Sequence, residues 1–503
     1  MYGKVIAHVA FSIFVSIVTV VAAVDQEIID AVKTHDVKAV EALIDQGVDV
    51  NIVQADGSTA LHWAVEANNL AIVDLLLKAG ASVSAENDYG VMPLWLAATN
   101  GSAEIINKLL QAGASVNKTL PTGESVLMTA ARTGKVDAIE LLLRHGANIN
   151  AVQTSKGQSA LMWAISEQHF EAVDTLIRHG ADITLRTASG FTPLLFACRE
   201  DSLDIVRLVL DQGADINKSS DDGSTPILVA IVRGNVDIAQ FLLEQGANPD
   251  GNLEDAGYTP LMWASTVSEG VITSDYPNAP GEWDALAGIP IRSEKISLIK
   301  ALVASGADIN ARVTKDLPRF GFTLFKRNYL PGGTPFYLAA MAADVEVMKL
   351  LIELGADTTL NAKDNTTPIT AAAGIAHEET ESLIPKADRL EAVKYAYEIG
   401  NDFDATNDSG FAAIHAAAYA GTDSVVQFLV DQGAKLNETT TIGQSPLGIA
   451  EGNFLSGFFF ERPDTAELLR KLGAVSHGAL SLESLMQEQE KLRLEAQSKE
   501  PEK

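Results

Sequence analysis

The sequence has a single cysteine, fewer basic than acidic residues, and none of the common catalytic motifs. Cys198 alone cannot form an intramolecular disulfide framework. Lysine and arginine total 37 against 66 acidic residues, which gives a net charge of −29. Because this charge offers phosphate groups no net positive field, nucleic-acid binding is disfavoured. We interpret the acidity as a feature that keeps a long chain soluble.

Catalytic signatures are missing as well. The sequence contains no P-loop, no G-x-S-x-G motif, no H-E-x-x-H motif and no C-x-x-C pair. Residues 377–379 lack the second histidine of a zinc motif, and residues 404–410 lack the closing glutamate of a calcium loop. We therefore predict a protein that is not an enzyme and that uses no cofactor or metal. The alternative is an active site assembled by insertions, with candidate acids Asp275, Glu282, Asp284 and Glu378.

What the sequence does contain is one unit repeated along most of its length, shown most clearly by Asp222–Asp250. Gly223 suits a tight turn, Thr225 can cap a helix through its hydroxyl, and Pro226 fits the first helical position. Two apolar stripes at helical spacing follow, and Gly246 fits a left-handed helix end. One such unit cannot bury its own apolar faces, so the copies must stack.

The glycines that open the copies recur at steps of 33 or 34 residues, at Gly57, Gly90, Gly123, Gly157, Gly190, Gly223 and Gly257. This period with a Thr-Pro-Leu-His start is that of ankyrin repeats. The chain resembles the ankyrin-repeat family at Thr59–His62, Thr192–Leu194, Thr225–Ile227, Thr259–Leu261, Thr334–Phe336, Thr367–Ile369 and Ser445–Leu447. The resemblance implies an all-α solenoid of about twelve helix-turn-helix repeats with hairpin-like loops.

The ends of the chain differ from the repeats. Residues 1–23 carry one charge, Lys4, before an apolar run that ends in the small residues Val21–Ala23. This pattern predicts a secretory signal peptide, with a retained N-terminal membrane anchor as the alternative. Either reading places the body of the chain outside the cytosol, periplasmic or secreted. We predict the solenoid over residues 24–475, and a charged tail, a frayed helix or a disordered segment, over 476–503.

Insertions interrupt the later copies at residues 267–293, 311–332, 375–389 and 451–462. They are rich in aromatic residues, so they either pack on the repeats or contact a partner. The insertion 311–332 is basic within an acidic chain, because one Asp316 accompanies Arg312, Lys315, Arg319, Lys326 and Arg327. Its charges could meet an acidic or phosphate-bearing partner or an anionic membrane, or form salt bridges with the neighbouring repeats.

The predicted contact residues come from two places. The resemblance implies a ligand surface made by the first helices and the hairpin loops. The position after the motif histidine is often aromatic, which predicts an apolar strip, with packing between repeats as the alternative. The candidates are Trp63, Trp163, Phe196 and Trp263 in the strip, and Arg319, Phe322, Phe325, Lys326 and Arg327 in the basic insertion. We predict a monomeric scaffold that binds a protein partner, or a membrane-tethered structural scaffold if residues 1–23 are retained.

Three other features of the repeats are predicted to be structural. His62 and His415 keep the motif histidine, and we expect both to be buried rather than catalytic or metal-binding. Cys198 replaces Ala98 and Ala131 of other copies, which predicts a buried, inert thiol, with a reactive or interchain cysteine as the alternative. The asparagines and aspartates that follow the closing glycines are expected to be loop residues.

Overall fold

The computed structural model describes residues 27–252, 254, 257–266, 270–272, 285–287, 292–315, 331–375, 384–452 and 461–478. Within these ranges the chain consists almost entirely of helix pairs joined by turns and loops. It divides into two compact units, Met1–Asp215 and Ile216–Lys503, which we call the N-terminal unit and the C-terminal unit.

Each repeat of the N-terminal unit has a first helix and a second helix. A short N-terminal repeat has its helices at residues 27–33 and Val37–Asp45. Repeats 1 to 5 follow, with helix pairs Ala60–Glu66 and Leu70–Lys78, Pro93–Asn100 and Ala103–Gln111, Val126–Arg132 and Val136–Arg144, Ala160–Ser166 and Phe170–Arg178, and Pro193–Arg199 and Leu203–Asp211. First helices pack on first helices of neighbouring repeats, and second helices on second helices, which confirms the predicted all-α stacking within this unit.

The C-terminal unit continues the same pattern with longer connections. Repeats 6 to 11 have helix pairs Pro226–Val232 and Val236–Glu244, Pro260–Ala264 and Arg292–Ala304, Pro335–Met341 and Val345–Glu353, Pro368–Ala373 and Lys386–Glu398, Ala413–Ala420 and Asp423–Asp431, and Pro446–Ala450 and Pro463–Lys471. Between the helices of repeat 7, strands Gly270–Ile272 and Ala285–Ala287 pair antiparallel, with Val271 opposite Leu286. This short hairpin lies inside the predicted insertion 267–293.

Local signals start and end the helices much as the sequence indicates. The Ser125 hydroxyl accepts a hydrogen bond from the Met128 amide at 3.2 Å, and equivalent caps start most later first helices. Thr225 is an exception, because its buried hydroxyl has no hydrogen-bond partner. The helix still begins there, since Pro226 fixes φ and the Thr225 carbonyl accepts from the Val229 amide at 2.9 Å. The prediction of a side-chain cap at Thr225 is therefore wrong.

Asparagine and aspartate side chains join most loops to the next one. The Asn117 carbonyl oxygen accepts from the Asn148 amide at 2.7 Å, and its amide nitrogen donates to the Gly146 carbonyl at 2.9 Å. The first of these contacts recurs at Asn51, Asn150, Asn217, Asp250, Asn310, Asp404 and Asn437. At Asp250, burial raises the pKa of the carboxyl group, and the charge of Asp308 adds to the effect. These loop residues thus also join neighbouring repeats.

One helix boundary differs from the sequence reading. The second helix of repeat 9 begins at Lys386, inside the predicted insertion 375–389, with Pro385 at its N-cap. Its buried stripe is Arg389, Ala392, Val393 and Ala396, so a charged residue occupies the first apolar slot. Burial lowers the pKa of Arg389 to about 10. The hydrophobic pattern alone therefore placed the start of this helix too late.

The chain that follows the last helix pair returns to repeat 11. The Ser445 hydroxyl donates to the Val475 carbonyl at 2.7 Å, and the Ser445 amide donates to the His477 carbonyl at 3.1 Å. Gly448 stands at the motif position that is histidine in repeats 1 and 10, and a Cβ atom there would clash with the His477 carbonyl oxygen. The first part of the predicted tail, up to residue 478, is therefore packed on the repeats, while residues 479–503 lie outside the described residues.

Candidate functional site

The predicted apolar strip is partly exposed in the N-terminal unit. The residues after the motif position in repeats 1 to 5 are Trp63, Leu96, Thr129, Trp163 and Phe196. Trp63, Leu96 and Trp163 are partly exposed, whereas Thr129 and Phe196 are buried. The strip therefore presents aromatic or aliphatic surface at three repeats of this unit.

Trp63 is held in place by two polar neighbours. Its indole N–H donates to the Gln54 side-chain oxygen at 3.0 Å, and the Lys33 ammonium lies 3.9 Å from the ring centroid. Lys33 also donates to the same Gln54 oxygen at 3.0 Å. A cation over an indole face is attractive, so the ring has a fixed orientation before any partner arrives.

Trp163 repeats this arrangement less tightly. The Arg132 guanidinium carbon lies 5.6 Å from the centroid of its ring, and Arg132 comes from the first helix of the preceding repeat. In both cases, a basic residue from one first helix covers part of an aromatic ring on the next. A cation thus lies over one face of each ring, and each ring remains partly exposed.

Two other predicted contact residues are buried instead. Phe196 has no exposed surface and packs edge-to-face on Phe191, with ring centroids 5.8 Å apart. Trp263 is 3% exposed and packs on Tyr258, also with centroids 5.8 Å apart. Both are therefore buried against a residue of their own repeat, and neither offers a side chain to a partner in this conformation.

The corresponding positions of the C-terminal unit are all buried. They are Val229, Trp263, Leu338, Ala371, Ala416 and Ile449. Exposed apolar surface in the strip is therefore confined to the N-terminal unit.

The hairpin loops of the N-terminal unit add exposed apolar residues. Tyr89 is 74% exposed, Val53 60% and Val152 44%. The loop that bears Val53 also bears Gln54, which bonds Trp63, so loop and strip are contiguous at repeat 1. Backbone bonds link neighbouring loop tips, with the Asp88 amide donating to the Asp56 carbonyl at 2.9 Å. We call the residues Val53, Trp63, Tyr89, Leu96, Val152 and Trp163 the open face.

The basic insertion lies mostly outside the described residues, including Arg319, Phe322, Phe325, Lys326 and Arg327. Its first residues are described, and they pack on the repeats. The Arg312 guanidinium donates to the Gly332 carbonyl at 2.9 Å and to the Asn361 carbonyl at 2.8 Å. The Thr314 amide donates to the Gly257 carbonyl at 2.8 Å. The side chain of Arg312 therefore has a structural role, because it bonds to backbone carbonyls of the repeats.

The candidate acids of the enzyme alternative, Asp275, Glu282, Asp284 and Glu378, also lie outside the described residues. Within the described ranges, no cluster of histidine, cysteine, aspartate or glutamate has the geometry of a metal site. The helices of the same ranges include none with the length and hydropathy needed to cross a bilayer.

Comparisons with known proteins agree with the repeat geometry. A model of three-copy ankyrin repeats matches residues 28–120, 94–187, 127–220 and 194–272, and a single ankyrin-repeat model matches residues 332–365 and 409–441. Together these matches cover more than half of the chain. The chain belongs to the ankyrin-repeat family. Its fold is an all-α ankyrin solenoid, and ankyrin repeats are protein-interaction scaffolds that are generally not enzymes.

One solved structure illustrates the likeness. The crystal structure of the human ASB11 ankyrin repeat domain is 28% identical in sequence, and the match covers 44% of this chain and 97% of that one, with a TM-score of 0.40. A search of curated protein sequences gave no match.

The two ankyrin-motif histidines have the structural role that was predicted, and each ring links neighbouring repeats. In repeat 1 the His62 Nδ1 atom accepts from the Thr59 amide at 3.1 Å, and Nε2 lies 3.0 Å from the Val91 carbonyl oxygen. His415 makes the same contacts with the Ala412 amide, at 3.2 Å, and the Glu438 carbonyl, at 2.9 Å. Nδ1 as acceptor and Nε2 as donor require the neutral imidazole. Burial lowers the pKa of both rings.

This geometry gives a pH-dependence prediction for His415. The stability that neutral His415 contributes to the folded chain is complete above pH ~6.5, where histidine is neutral in both the folded and the unfolded chain. This contribution decreases as the pH falls below that value. The unfolded chain then takes up a proton that the folded chain resists, at a cost of up to about 1.4 kcal/mol per pH unit. His415→Leu, the residue type of repeats 5 and 6, should lose less stability between pH 7 and pH 5. Urea unfolding of both proteins at both pH values measures this loss. An equal loss of stability in the wild type and in His415→Leu would contradict the prediction.

Cys198 is fully buried in the first helix of repeat 5. Burial raises the pKa of its thiol well above the ordinary value. A thiolate is therefore disfavoured, and the predicted burial of this cysteine is confirmed.

Sequence reasoning missed the exposed loop residues of the open face. Tyr89 precedes the turn glycine at a position that is small or polar in most other repeats, and this contrast was an available signal. The buried Lys295 was also missed, because its position in the second helix of repeat 7 suggests an ordinary solvated lysine.

Proposed function

We propose that this chain is a protein-interaction scaffold whose partner binds to the open face of the N-terminal unit. The observation that supports the proposal is the contrast along one motif position. This position is buried in every repeat of the C-terminal unit, and it presents Trp63, Leu96 and Trp163 at the surface of the N-terminal unit. Exposed apolar side chains grouped on one face of a protein typically mark an interaction site.

The physical basis of binding would be aromatic anchoring. Tryptophan and tyrosine dominate the energy of protein interfaces, because they bury much surface and lose little side-chain entropy. Trp63 is already oriented by Lys33 and Gln54, so binding would not have to immobilise it. A second contact region is still predicted in the basic insertion, at Arg319, Phe322, Phe325, Lys326 and Arg327.

The proposal predicts a specific loss of binding in the full-length chain. A photo-crosslinking amino acid at Tyr89 identifies the bound protein in the native setting. The variant Trp63→Ala, Trp163→Ala should then weaken binding to that protein on the order of 1,000-fold, since each of the two anchors contributes about 2 kcal/mol. Surface plasmon resonance with the purified partner provides the measurement, and the thermal midpoint verifies that the variant is folded.

Phe170 supplies a matched control. It is 42% exposed in the same unit, but it begins the second helix of repeat 4 and is not part of the open face. Phe170→Ala removes comparable aromatic area and should leave binding unchanged. If Phe170→Ala weakens binding and the tryptophan variant does not, the partner binds elsewhere and the open face is the wrong surface.

We also propose that the scaffold acts outside the cytosol. The support is the sequence pattern of residues 1–23, which lie outside the described residues. Cleavage after Ala23 would give a mature chain that starts at Val24. N-terminal sequencing of the native protein, with fractionation of the cells, measures this. An intact Met1 in the membrane fraction would instead indicate a tethered scaffold, and an intact Met1 in the cytosol would refute export.

A further inference from the structure

Six asparagines of the chain lie in the tripeptide Asn-X-Ser/Thr, which is the acceptor sequence for N-linked glycosylation. They are Asn100, Asn117, Asn217, Asn365, Asn407 and Asn437. In a secreted protein such a tripeptide is expected in a surface loop with a free side-chain amide. The structure shows the opposite arrangement here, because these side chains make hydrogen bonds, most of them to a neighbouring repeat.

Asn407 is the clearest case. It is 5% exposed, and its amide nitrogen donates to the Asp364 carboxylate at 3.3 Å and to the Thr366 hydroxyl at 3.0 Å. Its carbonyl oxygen accepts from the Ser409 and Phe411 amides at 3.0 and 2.9 Å. An N-linked sugar replaces one of the two N–H groups with a bulky polar substituent. Neither the second hydrogen bond nor the burial of Asn407 is compatible with that change.

Asn100 is more exposed than Asn407, but its side-chain amide nitrogen also donates two hydrogen bonds. Its amide nitrogen donates to the Val65 carbonyl at 2.9 Å and to the Glu66 carbonyl at 3.1 Å, both at the end of the preceding first helix. These carbonyls are among those that a helix cannot satisfy internally. A sugar on Asn100 would remove one of the two donors and would lie between repeats 1 and 2. The glycan would therefore separate two surfaces that must pack together.

We propose that this chain folds only in a compartment without the machinery that N-glycosylates these asparagines. Oligosaccharide transfer acts on chains that have not yet folded, so the modification competes directly with the closing of the repeats. The contacts of these asparagines do not depend on the proposed partner. Together with the proposed export, they restrict the route to a membrane without N-glycosylation machinery.

The test directs the full-length chain into the secretory pathway of a glycosylating eukaryotic cell. A companion variant lacks all six acceptor tripeptides through Ser102→Ala, Thr119→Val, Ser219→Ala, Asn365→Gly, Ser409→Ala and Thr439→Val. Asn365→Gly restores the loop glycine that most other repeats have at this left-handed position. Ser102 makes no side-chain cap, so Ser102→Ala removes no helix-capping bond. Peptide mass spectrometry reports sugar occupancy, and protease resistance reports folding.

The wild-type chain should be glycosylated at Asn100 or Asn407 and recovered mainly unfolded, and the variant should give several-fold more folded product. Both chains should unfold at similar temperatures when made in a bacterial cytosol. If the six-site variant does not fold there, Ser102→Ala with Ser409→Ala serves as the smaller change. Folded wild-type protein with sugar on Asn407 would overturn the proposal. So would folded wild-type protein without any sugar, or equal failure of both chains.

Discussion

Lys295→Met should lower the free energy of unfolding of the C-terminal unit by about 3–5 kcal/mol, because it removes the cation from a buried ion pair. Lys295 is 3% exposed, and its ammonium lies 3.3 Å from the Asp344 carboxylate and 2.6 Å from the Thr266 carbonyl oxygen. Thr266 is the last described residue before the insertion of repeat 7, and Asp344 caps the second helix of repeat 8. One ammonium therefore joins two repeats at the base of the insertion.

A double-mutant cycle separates the charge from the packing. Asp344→Asn keeps an oxygen that can accept from the Val347 amide, now at 3.2 Å, but it removes the negative charge. In the Lys295→Met, Asp344→Asn chain, no carboxylate remains buried without its ammonium, so most of the loss should be recovered. Urea unfolding of the four chains gives the coupling energy. Strictly additive losses would show that the two side chains do not stabilise each other.

Leu242→Ala should cost about 2–5 kcal/mol, from lost transfer free energy and the cavity left behind. Leu242 is fully buried in the second helix of repeat 6, and its carbonyl accepts the Ala247 amide at 2.9 Å beyond Gly246. A stack of repeats is stabilised mainly by contacts between neighbours, so the loss should first open the repeats next to the substitution. Hydrogen exchange of backbone amides should show reduced protection in repeats 6 and 7.

Leu76 provides the matched comparison, because it occupies the same position in repeat 1 and is also fully buried. Leu76→Ala should reduce protection around repeats 1 and 2 and leave repeats 6 and 7 protected. The two variants together therefore show which repeats lose hydrogen-exchange protection when each leucine is replaced. Equal loss of protection in all repeats for both variants would contradict the nearest-neighbour energetics of a solenoid.

The chemical details of single repeats were largely readable from sequence. Gly246 takes a φ of 87°. Its amide donates to the Leu243 carbonyl and the Ala247 amide donates to the Leu242 carbonyl, as a left-handed helix end requires. The structural roles of His62 and His415 were equally predictable, because each ring spans a fixed local turn. Thr225 shows the limit of this approach, since its environment leaves the hydroxyl without the bond that its motif favours.

The sequence by itself determined the repeat architecture, because a period of 33 or 34 residues with fixed glycines and alternating apolar stripes permits only stacked helix pairs. It could not determine which repeats offer a surface. Trp63 and Trp263 both follow the motif position, yet one is partly exposed beside Lys33 and the other is buried on Tyr258. Exposure depends on everything that packs around each ring, and only the tertiary structure determines that packing.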